Sequence, residues 1–307
     1  MPPRLSLIIC TYHRARLLTH CLEALAAQEP VDEPWELLVI DNNSPDDTRQ
    51  VTEEFLARHP HLSGRCLTEP QQGLSHARNR GYREARADWV LYLDDDAKPR
   101  PDLLQRALWL INRAQYQIVG GVYLPWYHYG RPYWYQDRYA SNALPYTELT
   151  VPPSNYVATG GVMLWDKSLL EALGGFDPRV GMVGKQLAYG EETYLQARAR
   201  ARGVAVAYDP NLVIYHVVME QKLHVDYFFR SYFAAGRDAV LGEQVGTGPG
   251  ALLTQLLLGL GVMSKDLLLY TPRLLRPDYY RENWLIDVFR KMAKRLGSVY
   301  TALLLGR

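Results

Sequence analysis

Asp94, Asp95 and Asp96 stand in a row behind the apolar run Trp89-Val90-Leu91-Tyr92-Leu93. The run has the residue types of a strand, and Lys98-Pro99-Arg100-Pro101 beyond it cannot continue a central one, so the carboxylates are expected at a strand end. Three neighbouring carboxylates repel one another and need a cation, protons or full solvation. One reading is a site for a divalent metal and a phosphate-bearing ligand; the other is a solvated acidic turn. Two more polar clusters follow strand-like runs: Thr11-Tyr12-His13-Arg14 after Leu5 to Cys10, and Asp41-Asn42-Asn43-Ser44 after Trp35 to Ile40.

The elements that must carry these clusters alternate. A helical pattern runs from about Arg16 to Gln28, and a second helix is expected from Pro45-Asp46-Asp47 with Ser44 as its cap. Cys66 to Thr68 reads as a short strand, a third helix follows Gln72-Gly73-Leu74-Ser75 through Ala87, and a fourth runs from Pro101 to about Arg113. Such alternation indicates a parallel sheet covered on both faces, with ligands at the carboxyl ends of its strands. All three polar clusters then fall on one edge. No Gly-x-Gly-x-x-Gly follows the first strand and no P-loop pattern occurs, which disfavours a dehydrogenase or a P-loop kinase.

Lys and Arg number 34 against 33 Asp and Glu, so no global basic field points to nucleic acid. Cys10, Cys21 and Cys66 show no C-x-x-C spacing, and a reducing, cytosolic setting is expected. The N-terminus lacks the apolar core of a signal peptide, and no uninterrupted apolar run reaches the roughly 18 to 20 residues that span a bilayer. The chain is therefore read as not integral to a membrane.

Past a strand at Ile118 to Val122, the stretch from Tyr123 to Tyr146 is crowded with Tyr, Trp and Pro. It suits either an acceptor-binding or lid segment, or an aromatic mini-core or oligomer contact. Tyr156 to Trp165 reads as a strand interrupted by Gly160-Gly161, a sign of a bulge or close approach. The glycine-containing stretch from Gly181 to Gly190 is expected to order over bound substrate. Glu191-Glu192 then opens a helix ending in Arg198, Arg200 and Arg202, a charge order that the helix dipole explains by itself. Two short strands, Val204 to Tyr208 and Leu212 to Tyr215, precede His216. From about Lys222 the pattern is helical; Ala251 to Met263 is apolar, and Trp284 to Leu296 forms a basic amphipathic helix. That helix would lie on an anionic membrane surface, meet a partner subunit or cap the catalytic domain.

Four motifs in order, Ser6 to Arg14, Val39 to Ser44, Gly73-x-x-x-Ala77-Arg78-Asn79-x-Gly81 and Leu93 to Asp96, resemble those of family 2 glycosyltransferases of the GT-A fold. The resemblance implies an α/β, Rossmann-like, mostly parallel sheet flanked by helices, with a C-terminal helical extension. It divides the chain into a catalytic domain at 1–220, its nucleotide-binding half about 1–120 and its acceptor-side half about 121–220, and a helical region at 221–307. It implies inverting transfer from a nucleotide sugar, usually a UDP-sugar, to a carbohydrate or lipid-linked acceptor, with Mn²⁺ or Mg²⁺ on the acidic motif.

By the same resemblance Thr11, Tyr12 and Arg14 belong to the nucleotide pocket and Asp41 partners the base. Arg78 approaches the nucleotide and Asn79 holds its segment. Asp94 faces the ribose, and Asp95 is grouped with the nucleotide side although strand alternation turns it from its neighbours. Asp96 ligates the metal, and His216 completes that site, tilting it toward Mn²⁺. Glu192 takes the place of the general base, a glutamate where aspartate is commoner, with Glu191 as the second candidate. Gly160-Gly161 falls beside donor sugar and acceptor. A cytoplasmic location is implied, with peripheral membrane contact or homo-oligomer formation through the C-terminal helices left open and no nucleic-acid partner. Two alternatives stand beside this: a sugar nucleotidyltransferase, which needs a glycine-rich phosphate loop that Thr11 to Arg14 does not supply, and a non-catalytic carbohydrate-binding or assembly protein.

Overall fold

A computed structural model of the chain describes residues 2–153, 156–179, 190–241 and 248–305. They fall into two compact units, Met1–Trp126 with Ala140–Val217, and Tyr127–Tyr139 with Val218–Arg307.

The first unit is built on one sheet. In chain order the elements are β1 (Leu5–Thr11), α1 (Ala15–Ala26), β2 (Trp35–Asp41), α2 (Thr48–Arg58), β3 (Gly64–Thr68), α3 (Leu74–Glu84), β4 (Trp89–Asp94), β5 (Ala97–Pro99) and α4 (Leu103–Arg113). β6 (Ile118–Trp126), β7 (Val162–Asp166), α5 (Lys167–Ala172), α6 (Glu191–Arg200) and β8 (Val206–Val217) follow. The strand order is β3-β2-β1-β4-β7-β6-β8-β5. Four of its seven pairings are parallel, and β7 against β4 and β6, and β5 against β8, are antiparallel.

Alternation along β1 decides the layers. Leu5, Leu7 and Ile9 join a core with Leu18, Leu22 and Leu104, while Ile8 joins Leu38, Tyr92 and Trp165 in the core on the other face. Both faces are covered, so β1 is apolar on successive residues rather than on every second one.

Register sets the functional edge. Thr11 lies opposite Asp41, and Cys10 opposite Asp94. Only Asp95 and Asp96 link β4 to β5, yet these strands hold the fourth and the last places in the sheet. The sheet must curl for so short a link to join them. β5 then pairs Ala97 with His216 of β8.

Several elements differ from expectation. α2 starts at Thr48, not Pro45, and Ser44 does not cap it: Ser44 Oγ accepts from the His13 amide at 3.0 Å, so the hydroxyl ties the first and second polar clusters together. Asp46, two residues before the helix, accepts from the Thr48 amide instead. Ala97–Pro99 form a strand after all; β5 lies at the sheet edge, where a proline costs no ladder bond. β7 begins only at Val162, and the two strands expected before His216 are one continuous β8.

The second unit comprises α7 (Val225–Leu241), α8 (Pro249–Tyr270) and α9 (Arg281–Leu305) with the segment 127–139. Trp134 and Tyr135 are buried, with Tyr139 and Phe228 rings against both, so the aromatic stretch supplies a mini-core. Asn283 Nδ2 donates to the Trp134 carbonyl at 2.7 Å, and Arg138 holds Asp287 through two bonds, of 3.1 and 2.6 Å. α7 and α9 cross closely because both present glycine: a Cβ on Gly236 would overlap the Lys294 carbonyl, and one on Gly297 the backbone of Phe233. Gly297→Ala should therefore lower the stability of the full chain in urea by about 1–3 kcal/mol, although alanine is favoured in a helix by about 1 kcal/mol. Unchanged or raised stability would contradict the close crossing.

Candidate functional site

The acidic motif is divided by its partners. Arg14 Nη1 donates to Asp95 Oδ1 at 3.0 Å and to Asp96 Oδ2 at 2.8 Å. Asp96 thus spends one oxygen on Arg14 and turns the other, Oδ1, toward His216 Nε2 at 3.1 Å, with Asp94 Oδ2 at 3.3 Å from the same nitrogen. His216 Nδ1 lies 3.1 Å from the Val217 carbonyl, an acceptor only, so Nδ1 carries the proton there. Nε2 thus faces two carboxylates, and Asp96 Oδ1 is buried with no hydrogen-bond donor among the described residues. A cation, or a proton on Nε2, satisfies this arrangement. One ligand atom each from Asp94, Asp96 and His216 lies within 4.8 Å of the others, a donor set of two carboxylates and one imidazole that suits Mn²⁺.

Asp95 stands apart, buried against Arg14. Burial is the largest influence on it and pushes its carboxyl up to about 6; Arg14 opposes the rise, and Asp96 and Asp94 add to it. Alternation had turned Asp95 from its neighbours, and the structure shows what it turns toward. Asp94, assigned to the ribose by resemblance, is here grouped with Asp96 and His216.

A second cluster centres on Arg78 and the Glu191–Glu192 pair. Arg78 on α3 is buried, and burial works against its charge, but Glu192 and Glu191 stabilise it. Its Nη1 donates to Glu191 Oε1 and its Nη2 lies by Glu192 Oε1, both at 3.0 Å, and the guanidinium packs 5.3 Å from the Phe176 ring centre. The resemblance set Arg78 against a nucleotide; in the structure its partners are the two glutamates. Glu191 is buried and its Oε2 has no hydrogen-bond partner among the described residues, whereas the Glu192 side chain remains 18% exposed. Burial first, then the charge of Glu192, raises the Glu191 carboxyl above the ordinary range.

Gly160 and Gly161 connect the clusters. A Cβ on Gly160 would overlap the Arg78 guanidinium and the Glu192 carboxylate, and one on Gly161 would lie 3.4 Å from Asp94 Oδ2 and 3.8 Å from His216 Cδ2. The interruption in the sequence pattern is thus a strip of backbone pressed between both groups. Gln196 on α6 pins the strip by exchanging two bonds with Ala158, at 2.8 and 2.6 Å. Asn79 exchanges two with the backbone of Phe176, at 2.7 and 2.8 Å, and so holds the ring under Arg78.

On the other side, Thr11 is buried and its hydroxyl partly offsets the rise of the Asp95 carboxyl; Tyr12 is half-buried. Asp41 Oδ1 accepts from the Ser44 amide at 3.0 Å. Asn42 donates to the Glu69 and Gln71 carbonyls and accepts from the Gly73 amide, stitching β2 to the start of α3. Sequence reasoning placed Asn42 in a polar cluster without a role of its own and passed over Gln196 as a site-forming residue. The signal for Gln196 was a polar amide where packing was expected, on the buried side of α6. The Gly181 to Gly190 loop lies almost wholly outside the described residues.

A curled α/β sheet flanked by helices, with an acidic cluster at the carboxyl edge of its strands, is an architecture of the GT-A type. Residues 6–174 match the model for glycosyl transferase family 2, more than half of the chain, and the protein belongs to that family. Glycosyltransferase AglE of Haloferax volcanii is 31% identical over 119 residues, 39% of each chain. The Campylobacter jejuni GalNAc(5)-diNAcBac-PP-undecaprenol beta-1,3-glucosyltransferase is 27% identical over 118 residues, 38% of each. The matches thus span well under two thirds of these relatives. Among solved structures, mannosyltransferase PcManGT from Pyrobaculum calidifontis, in complex with GDP-Man and Mn²⁺, aligns with a TM-score of 0.58 at 19% identity, over 100% of this chain and 75% of its own. That likeness is one of fold.

Because the Glu191 carboxyl is raised, the folded state binds its proton more tightly than the unfolded state does. The stability it contributes is fully present below the ordinary glutamate value and is lost as pH rises through the raised one. Glu191→Gln removes this dependence. Thermal denaturation across the acid to neutral range should show the variant gaining on the wild type as pH rises; a gain that shrinks with pH would reverse the sign assigned to Glu191.

Proposed function

We propose that this chain is a metal-dependent, inverting glycosyltransferase that moves a sugar from a nucleotide sugar, a UDP-sugar in the first instance, to a hydroxyl of a glycan or lipid-linked acceptor. The observation that carries the proposal is the Gly160-Gly161 strip, which sets the Asp94, Asp96 and His216 cluster against one glycine and the Glu192 carboxylate against the next. A diphosphate on the first cluster and an acceptor hydroxyl at Glu192 would then belong to one reacting group.

Glu192, oriented by Arg78 and the more exposed of the two glutamates, accepts the hydroxyl proton as the acceptor oxygen bonds to the anomeric carbon. The bond to the diphosphate breaks on the opposite side, and the single displacement inverts the centre. Glu191 stays behind as the buried counter-charge of Arg78. Asp94, Asp96 and His216 would hold Mn²⁺ or Mg²⁺, whose charge offsets that gathering on the leaving diphosphate. Arg14 fixes Asp96 so that one oxygen faces this cluster. Thr11, Tyr12 and Asp41 border the nucleoside side. A lipid-linked acceptor is supported by the Campylobacter relative, whose name carries an undecaprenol diphosphate acceptor.

A thermal-shift screen of UDP- and GDP-sugars with and without Mn²⁺ tests donor and metal together. One of them should raise the melting temperature, chelator should remove the rise, and Asp96→Asn should abolish it. With the donor so identified, Glu192→Gln should keep donor binding and lose roughly 10²- to 10⁴-fold in transfer. Undiminished transfer would remove the base assignment, and absence of any nucleotide-sugar binding by the wild type would remove the enzyme reading.

A further inference from the structure

No uninterrupted apolar run marked a membrane segment in the sequence, because Thr254, Gln255, Ser264, Lys265 and Asp266 break the pattern. The structure carries the chain through these residues in one helix. Pro249–Leu275 is long and apolar enough to cross a membrane by length and composition, with a mean hydropathy of 1.5 and only 11% of that window buried.

Two of the polar interruptions, Gln255 and Asp266, lie on the side that meets α9, while Thr254, Ser264 and Lys265 are exposed. α8 meets α9 through Gln255, which accepts from Arg295, through Gly259, where a Cβ would meet Met292 Sδ at 2.7 Å, and through Asp266, 2.9 Å from Lys291. At 3.6 residues per turn, Leu253, Leu257, Leu260 and Leu268 share the opposite side of α8. They are 58, 59, 47 and 81% exposed. Ser264 interrupts this face between Leu260 and Leu268, but four exposed leucines on one side of a helix mark a surface that meets something apolar.

We infer that this leucine face of α8 docks in the surface of an anionic lipid bilayer, with the hairpin lying in the plane of the membrane. Spanning is disfavoured because Lys291 and Arg295 of α9 contact α8 near its middle and would enter the hydrocarbon with it. Charge selects the occupant. Residues 249–305 hold eight Lys and Arg against four Asp and Glu. Asp266 and Asp287 are buried in ion pairs within the unit, while Lys265, Arg276, Arg281 and Lys294 are exposed. A second copy of the chain would bring two such cationic rims together, whereas lipid phosphates neutralise one. This inference goes beyond the donor and acceptor reading and does not depend on it.

Flotation of the purified full chain with phosphatidylcholine vesicles, with and without phosphatidylglycerol, tests it. The chain should float with the anionic vesicles alone and be released by high salt. Leu253→Ser/Leu257→Ser/Leu268→Ser should weaken binding by about tenfold or more. Lys265→Glu/Arg276→Glu should remove the anionic preference with its helical circular dichroism unchanged, and since it leaves the apolar face intact, it keeps the test decisive if the serine variant fails to fold. No flotation with anionic vesicles, equal binding to neutral ones, or retention through alkaline carbonate would overturn in-plane docking. So would a dimer that the serine substitutions convert to monomer while vesicle binding stays as in the wild type.

Discussion

Two guanidinium groups divide four carboxylates at the carboxyl edge of the sheet, and the candidate site depends on the division. Arg14 takes Asp95 and one oxygen of Asp96; Arg78 takes Glu191 and, through its other nitrogen, Glu192. Asp94, the second oxygen of Asp96 and His216 are left facing one another. Removing a pair of charges from water is expensive unless each is matched and hydrogen-bonded. In each arginine set one buried carboxylate, Asp95 or Glu191, has its carboxyl raised. The other is presented: Asp96 to His216, and Glu192 to solvent. Asp95 and Glu191 thus act as counter-charges that hold each arginine, and through it the presented group, in place.

Topology makes this arrangement local. The two-residue link between β4 and β5 forces the sheet to curl until its last strand returns beside its fourth, and the β5–β8 register then brings His216 opposite the residue after Asp96. The antiparallel pairing of β7 with β4 brings Gly161 to the same edge, where its carbonyl accepts from the Asp94 amide at 3.2 Å. Two glycines in sequence then lie against the two arginine-ordered groups. Larger residues there would push the clusters apart.

Much of this was legible in the sequence because it is written in short range. Buried strands ending in Thr11, Asp41 and Asp94 show as apolar runs followed by polar residues, and their shared edge follows from the alternation of strands and helices. Long-range partners were not legible. Arg78 lies 113 residues from Glu191, and nothing near Arg78 distinguishes an ion pair with a distant helix from a contact with a ligand. Ser44 had the chemistry of a cap, but the His13 amide, brought close by the neighbouring strand, competed for its oxygen. The aromatic stretch left two roles open until Phe228 supplied the ring that makes it a core. α8 was hidden by polar residues that an uninterrupted-run criterion counts against a helix, two of which, Gln255 and Asp266, α9 in fact binds.

Asp94, Asp96 and His216 are proposed as the cation site of a nucleotide-sugar transferase. The most direct measurement is a crystal structure of the chain grown with Mn²⁺ and a nucleoside diphosphate, with anomalous scattering recorded for manganese. The account predicts an anomalous peak within bonding distance of all three side chains, with the diphosphate bound to the same ion. Manganese found on the diphosphate but out of reach of Asp96 and His216, or only elsewhere on the protein, would contradict it.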